Sequence, residues 1–177
     1  MPALPVAFWF DFASTYSYPA AMRIEEAAAR AGVPLEWKPF LLGPIFGEQL
    51  GLKDSPFNVF PVRGRYMWRD LERLCEKYGL PWRRPSAFPR SSLLAARVGC
   101  LARAEPWLPD FVRAVFRANF AEDREIGEAR VIEEILGALG QDGRAAVERA
   151  SSPKVKDALR ERSAEAARLG LFGAPDF

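Results

Sequence analysis

The chain opens with a short apolar run, Val6–Phe10, which is rich in aromatic residues and bounded by polar ones. Such a run predicts a buried β-strand. Polar, cap-forming residues follow over 11–17, and the next segment has apolar residues at helical spacing with charged residues on the opposite face. The apolar positions of that segment are Ala20, Ile24, Ala27, Ala28 and Ala31. Gly32 supplies a stop signal, so the first unit is predicted to be a strand, a loop and a helix.

A second strand is predicted over 35–42, after the turn residues Val33 and Pro34. The order strand, helix, strand implies a right-handed parallel crossover. The segment from Gly43 to Pro61 has no regular period and is rich in glycine, proline and phenylalanine. Loops of this length in compact domains are usually functional or disordered. Because this one is too apolar for disorder, we expect a packed loop beside a site.

From Arg65 onward the apolar period is helical, and glycine or proline signals separate successive helices. The residues of the predicted apolar stripes are Met67, Leu71, Leu74, Cys75 and Tyr78; Leu94, Val98 and Leu101; Leu108, Phe111, Val112, Val115, Phe116 and Phe120; and Val131, Ile132, Ile135, Leu136 and Leu139. Two more helices are expected near 144–150 and 153–169, the second with Pro153 in its first turn. The pattern therefore predicts an α/β fold.

The predicted organisation has three parts. Residues 1–64 form the strand–helix–strand part with its loop, residues 65–150 form a helical insertion, and residues 151–177 return to the first part. A strand is predicted to begin at Pro175, near the end of the sequence. Because this leaves an incomplete sheet, we expect that C-terminal strands are missing, either because the polypeptide continues beyond Phe177 or because the sequence is a fragment.

Charge and composition exclude several classes of function. Lys and Arg number 25 against 23 Asp and Glu, a net charge of +2 without the basic stripe of a nucleic-acid-binding protein. The sequence has neither an apolar run long enough for a membrane span nor the pattern of a signal peptide. Histidine is absent, which removes Ser-His-Asp and Cys-His catalysis and argues against a metal site. Cys75 and Cys100 lie in helical patterns, so we expect buried free thiols and a cytoplasmic setting.

The junction between the first strand and its helix is the first candidate site. The first N–H groups of a helix lack partners and the macrodipole is positive there, so an anion or thiolate is stabilised. Thioredoxin-type proteins use this junction to lower the pKa of a Cys-x-x-Cys thiol. Here the four residues are Ser14-Thr15-Tyr16-Ser17, whose hydroxyls can donate to a thiolate supplied by another molecule. The alternative is that the serines only cap the helix, and Ser17 as the cap would put Pro19 in the first turn.

Several segments, taken together, resemble the signature of 2-hydroxychromene-2-carboxylate isomerases and kappa-class glutathione transferases. Residues 10–18, FDFASTYSY, are similar to D-[FV]-x-S-P-Y-[SA]-[YW], and residues 39–46, PFLLGPIF, to P-F-L-L-G-x-I-F. Residues 58–70, NVFPVRGRYMWRD, resemble P-x-K-x-x-Y-M-x-x-D, and residues 88–97, FPRSSLLAAR, resemble F-P-x-N-S-L-x-A-x-R. Gly173-Ala174-Pro175 corresponds to the Gly-x-Pro that carries a cis-proline in thioredoxin-type folds. The resemblance covers the whole chain in order.

The resemblance implies a thioredoxin-like domain with an all-helical insertion, DsbA-like in layout, and glutathione as the cofactor. The positions that match functional residues of the family are Ser14 for the glutathione sulfur; Arg63, Asp70, Ala174 and Pro175 for the tripeptide; and Tyr16 and Ser91 for a small-molecule substrate. This sequence departs from the family where Thr15 replaces a proline, Arg63 a lysine and Ser91 an asparagine. Arginine keeps the charge of lysine but changes the hydrogen-bond geometry.

The activity that the resemblance implies is a glutathione-dependent isomerisation in aromatic-compound breakdown. A bound glutathione thiolate would act as a borrowed nucleophile, and such a reaction needs no histidine and no metal. Two alternatives stay open: a kappa-like glutathione transferase or peroxidase, and a non-enzymatic thioredoxin-like binding module in which Ser14 is only a cap. Since members of the family often form dimers, a homodimer is a further expectation, whereas neither nucleic acid nor a membrane is expected as a partner.

Overall fold

The computed structural model describes residues 4–177, so the first three residues of the predicted unit 1–64 lie outside it. Within this range two parallel strands, β1 (Val6–Phe10) and β2 (Leu35–Pro39), form the sheet. Their register runs from Val6 opposite Leu35 to Phe10 opposite Pro39. On its other side, β1 makes an antiparallel bridge between Trp9 and Asp176. The predicted parallel crossover is confirmed, and β1 lies between β2 and the C-terminal segment.

The crossover from β1 to β2 contains two short helices, α1 (Ser17–Ala21) and α2 (Ile24–Ala31), so the single helix predicted over this segment is wrong. Of its five apolar positions, all within the described range, only Ala28 is buried. Alanine side chains offer little area to a continuous buried face. The chain instead breaks at Met22 and Arg23, and α1 places Tyr18 in the core, where its ring packs against Phe116 and Phe120.

The segment predicted as a loop, 43–61, is largely helical, so that prediction is wrong. It forms the last part of α3 (Leu42–Leu50) and all of α4 (Pro56–Val59). Pro44 lies in the first turn of α3, where proline is tolerated. The carboxylate of Asp11, distant in sequence, accepts a hydrogen bond from the Leu42 N–H at 2.8 Å. Tertiary structure therefore supplies the cap that the local sequence lacks.

The predicted helical run begins at Pro61, earlier than expected, because proline fits the first turn of a helix. The helices of this run and its C-terminal continuation are α5 (Pro61–Lys77), α6 (Leu93–Leu101), α7 (Leu108–Phe120), α8 (Ala129–Ala138), α9 (Gly143–Ala150) and α10 (Pro153–Arg168). Most residues of the predicted apolar stripes are buried. The three-part division at residues 64 and 150 stays a prediction.

The two faces of β1 enter different parts of the core. Phe8 and Phe10 face a large cluster with the helical run, whereas Trp9 packs in a smaller cluster with Phe40. This alternation follows from the two-residue period of a strand. Many of the largest side chains in the large cluster are aromatic, and those that are fully buried are Phe8, Phe10, Phe12, Tyr18, Phe111, Phe116 and Phe120. The packed rings support the end of β1 and the loop that follows it.

Cys75 and Cys100 are buried and free, as expected from the sequence. Burial raises the pKa of Cys75 to about 11, so this thiol stays protonated near neutral pH. Neither cysteine lies in the loop after β1.

Candidate active site

A cleft of about 920 Å³ opens beside the loop that joins β1 to α1. Its walls come from that loop, from the segment 41–63, from the turn 88–93 and from the C-terminal segment 172–174. Aromatic side chains line much of it, and they are Tyr16, Phe46, Phe57, Phe60, Phe88 and Phe172. The expectation that segment 43–61 lies beside such a cleft is therefore met, although the segment is helical. A largely apolar cleft with a few polar groups is the usual form of a small-molecule site.

Ser14 lies on the inner wall of this cleft. Its hydroxyl donates to the Ala174 carbonyl at 2.9 Å, and its Oγ accepts a long hydrogen bond of 3.4 Å from the Ser17 N–H. Helix α1 begins at Ser17, with Tyr16 in the cap position, so the interpretation of Ser17 as the cap is corrected by one residue. Pro19 lies in the first turn, as expected. Because α1 has five residues, its macrodipole is small, and the Ser14 hydroxyl is the main polar group at this point.

Ala174 faces Ser14 from the C-terminal segment. The Ala174–Pro175 peptide bond is cis, as the Gly-x-Pro motif predicts. Ala174 lines the cleft, whereas Pro175 does not. The Ala174 carbonyl already accepts from Ser14, and its N–H has no acceptor among residues 4–177. That N–H is available to a ligand in the cleft.

Tyr16 lines the cleft and connects it to Asp70 on α5. The Tyr16 hydroxyl donates to Oδ2 of Asp70 at 3.1 Å, and Arg73 donates to the other carboxylate oxygen at 3.2 Å. Burial, the hydrogen bond to Asp70 and the charge of Asp70 raise the pKa of Tyr16, so the hydroxyl stays protonated. Asp70 itself does not line the cleft and reaches it only through Tyr16.

Cations lie at the mouth of the cleft. Arg63 is exposed, lines the cleft and stacks over the Phe60 ring, with its guanidinium carbon 4.9 Å from the ring centre. Lys53, which is also exposed, and Ser91 line the same cleft. Lys53 was missed by the sequence analysis because an isolated lysine in a polar turn carries no distinguishing signal. Five of the predicted site residues thus meet at one cleft, and they are Ser14, Tyr16, Arg63, Ser91 and Ala174.

Asp11 is a further residue of the site that sequence analysis missed. It is 4% exposed, and its two carboxylate oxygens accept from the N–H groups of Ala13 and Leu42 at 2.9 and 2.8 Å. Burial raises the pKa of Asp11, although the two backbone N–H groups act in the opposite direction. The carboxylate joins the Ser14 loop to the first turn of α3. An aspartate placed directly after a buried strand is the signal that could have found it.

In the part of the chain that the structure describes, no group of three or more His, Cys, Asp or Glu side chains could hold a metal ion. None of the helices described is both long enough and apolar enough to cross a membrane.

The central β1, its crossover to β2, the helical run and the cis-proline facing the first helix define a thioredoxin-type protein. The model of the DSBA-like thioredoxin domain family matches residues 5–177, and the chain belongs to this family. The predicted thioredoxin-like fold with its helical insertion is thereby confirmed.

Comparison with known proteins finds relatives of both kinds that the sequence motifs resemble. The chain is 29% identical to glutathione S-transferase kappa 2 of Caenorhabditis elegans, over 96% of this chain and 78% of that protein. It is also 29% identical to 2-hydroxychromene-2-carboxylate isomerase of Sphingobium xenophagum, over 96% of this chain and 86% of that protein. The resemblance stated from the sequence motifs is confirmed by these relatives.

Solved structures share the fold. A 2-hydroxychromene-2-carboxylate isomerase structure superposes with a TM-score of 0.85 at 24% identity, covering 97% of this chain and 83% of that one. The cytosolic disulfide reductase DsbM of Pseudomonas aeruginosa, solved with GSH, superposes with a TM-score of 0.68 at 15% identity, covering 97% of this chain and 83% of that one.

Proposed function

We propose that this protein is a glutathione-dependent isomerase of the 2-hydroxychromene-2-carboxylate isomerase type, acting in aromatic-compound breakdown. The observation that carries the proposal is the Ser14 hydroxyl on the wall of an apolar cleft, 2.9 Å from the carbonyl that precedes the cis-proline. The relative in Sphingobium xenophagum supports this activity by its name. The name of the kappa-class relative supports glutathione as the cofactor.

The residues of the cleft fit glutathione. A volume of about 920 Å³ is at the upper end for small-molecule sites, which leaves room for a tripeptide and a second small molecule. The Ala174 N–H, without an acceptor among residues 4–177, suits the peptide carbonyl of a ligand. Arg63 and Lys53 at the mouth suit its two carboxylates, because guanidinium and ammonium groups form charge-assisted hydrogen bonds with carboxylates.

When bound, glutathione would supply a thiolate nucleophile that can add to an electron-poor double bond and leave again after rotation about that bond. Ser14 would turn its O–H from the Ala174 carbonyl toward the sulfur. A hydrogen bond donated to the charged form lowers the pKa of a thiol. The N–H groups of Thr15 and Tyr16, which have no acceptor in the described chain, lie in the same loop and would add to this stabilisation.

The second substrate would lie against the aromatic side of the cleft. Phe57 and Phe88 present apolar surface there, and the protonated Tyr16 hydroxyl and Ser91 supply polar contacts. Asp70 would act through Tyr16, because its carboxylate holds the Tyr16 hydroxyl. This division between a polar inner wall and an apolar outer wall suits a substrate that has an aromatic ring at one end and polar groups at the other.

Calorimetry with glutathione, followed by turnover of 2-hydroxychromene-2-carboxylate, tests the proposal. We expect the wild type to bind glutathione and Ser14→Ala to lose about 10²–10³-fold of turnover, the usual cost of removing one donor to a reacting anion. Ser151→Ala is the matched control, because the Ser151 hydroxyl is exposed and donates to Val147 outside the cleft. Absence of glutathione binding to the wild type would refute the proposal.

Two alternative functions would give different experimental results. Conjugation of glutathione to an aryl halide, without isomerase turnover, favours a kappa-like transferase or peroxidase, which the name of the Caenorhabditis elegans relative supports. A Ser14→Ala variant that loses stability but leaves glutathione-linked turnover unchanged favours a binding module, and the contact of Ser14 Oγ with the Ser17 N–H supports that view. A homodimer and a cytoplasmic setting stay predictions, and sedimentation velocity tests the first.

A further inference from the structure

The peptide group between Phe12 and Ala13, which directly precedes Ser14, is held at both ends. Its carbonyl oxygen accepts from Nδ2 of Asn119 at 3.0 Å, and its N–H donates to Oδ1 of Asp11 at 2.9 Å. Because a peptide group is planar and rigid, it cannot rotate without breaking both bonds. The direction in which the chain enters Ser14 is therefore set by this plane.

Asn119 reaches this peptide from the last turn of α7, in the helical run. The residue is 2% exposed, so its amide has no access to bulk water. Nη1 of Arg90 donates to both the side-chain and the main-chain oxygen of Asn119, each at 3.2 Å. Since a guanidinium can only donate, the amide oxygen of Asn119 must face Arg90 and its NH2 must face Phe12. Arg90 thus orients the donor that holds the loop.

Arg90 is itself fixed in place. It follows the cis Phe88–Pro89 bond, and its side chain is 3% exposed. Nη2 forms an ion pair with Asp123, and Nε lies 3.3 Å from a Glu125 carboxylate oxygen. Hydrogen bonds from Ser86 and Arg90 hold the pKa of Asp123 below its usual range, so the ion pair persists at neutral pH. The helical run and the turn 88–93 are joined here to the loop that carries Ser14.

We propose that Asn119, oriented by Arg90, is a positioning residue for Ser14. It keeps the Phe12–Ala13 peptide in the orientation that aims the Ser14 hydroxyl at the sulfur of bound glutathione. This inference rests on the proposed function. Asn119 belongs to the helical run and does not line the cleft, whereas Ser14 does. Because Asn119 sets the geometry of Ser14, the helical run has a role in the chemistry of the site.

The Asn119→Asp variant tests the inference, because it keeps an acceptor for Arg90 but replaces the NH2 with an oxygen that faces the Phe12 carbonyl. The measurement is the pKa of the glutathione thiol in the complex, followed by the ultraviolet absorbance of the thiolate. We expect glutathione still to bind and this pKa to rise by about one unit, a typical size for the effect of one local interaction. Ile135→Ala, a buried residue of α8, is the control for general destabilisation. It should lower the melting temperature without moving the thiol pKa.

An unchanged thiol pKa in Asn119→Asp, with glutathione bound, would overturn the inference and leave the proposed function standing. If the wild type binds no glutathione, the inference about Asn119 and the proposed function are both overturned. If Asn119→Asp does not fold, Asn119→Ala removes the donor without adding a charge. The same rise in thiol pKa is then expected, and its absence overturns the inference.

Discussion

The wall of the cleft that carries Ser14 is buried and hydrogen-bonded, whereas the opposite wall is exposed and largely apolar. On the inner wall, Asp11 is 4% exposed, and Phe12, which lies behind this wall in the core, is 0% exposed. On the outer wall, Leu50, Phe60 and Phe172 are 55%, 44% and 75% exposed. The inner wall therefore holds the Ser14 hydroxyl in one geometry before any ligand binds, as the chemical step of the proposed function requires. The outer wall has few polar contacts to break and can repack around apolar molecules of different shape.

The inner wall also has the larger packing energy. The Phe12 ring contacts the rings of Phe10, Phe111 and Phe116, with centroid separations of 5.2, 6.0 and 5.3 Å. Aromatic pairs at such distances contribute about 0.5–1.5 kcal/mol beyond the burial of their area. The asymmetry predicts that inner-wall substitutions change stability and chemistry, whereas outer-wall substitutions change ligand affinity alone.

The largest expected effect is that of Phe116→Ala. This fully buried ring packs against Phe10, Phe12 and Tyr18, so its removal leaves a cavity directly beneath the Ser14 loop. We expect the free energy of unfolding to fall by about 3–5 kcal/mol, measured by urea denaturation. Phe172→Ala, at a cleft residue that is 75% exposed, should change it by at most about 0.5 kcal/mol. Equal losses in the two variants would contradict the difference between the walls.

Asp11→Asn has the next largest expected effect. An amide can accept from one of the two backbone N–H groups that Asp11 satisfies, so one buried N–H loses its partner. We expect a loss of about 1–3 kcal/mol in the free energy of unfolding at neutral pH.

The pH dependence of the Asp11→Asn effect has a definite sign. Burial raises the pKa of Asp11 in the folded state above its value of 3.8 in the unfolded chain, so the folded state binds more protons between the two pKa values. The contribution of Asp11 to the free energy of unfolding is therefore at its full value below pH 3.8. It is lost as pH rises through the pKa that Asp11 has in the folded state. The free energy of unfolding of the wild type should exceed that of Asp11→Asn by the largest amount in acid, and this difference should shrink as pH rises. A difference that grows with pH would show that the N–H bonds outweigh burial.

Arg63→Gln has the smallest expected effect. The side chain is exposed, so we expect no change in the melting temperature and about a fivefold loss of glutathione affinity, equivalent to about 1 kcal/mol. Added salt should reduce the difference in glutathione affinity between the wild type and Arg63→Gln, because salt screens exposed charges. Arg65→Gln is the matched control, since Arg65 is exposed on the same helix but does not line the cleft. Equal losses of affinity in both variants would indicate a general charge effect.

Much of the fold could be predicted from local patterns. The aromatic run Val6–Phe10 predicted β1 because a buried strand needs apolar side chains on both faces. The strong stripe of α7 predicted a helix over Leu108–Phe120 for the equivalent reason at helical period. Of the candidate site, the Ser14 junction and the Ala174–Pro175 turn were found through motifs in which neighbouring residues act together. Their meeting at one cleft is now visible in the 2.9 Å bond between them.

Other features depended on contacts that no local pattern reveals. The glycines and prolines after Leu42 indicated a loop, yet Asp11 caps that segment as the helix α3. Asn119 lies in the strongest apolar stripe of the chain, and the carbonyl that it holds is 107 residues away in sequence.

The amino-acid sequence by itself thus determined most of the strands and helices, though not the break between α1 and α2 or the helix α3, and it determined where the candidate hydroxyl of Ser14 lies along the chain. Tertiary structure alone decided which side chains hold that hydroxyl and which surface faces it. The physical reason is that periodicity and capping act between near neighbours, whereas a buried hydrogen bond requires two groups to meet in space at about 3 Å whatever their separation in sequence.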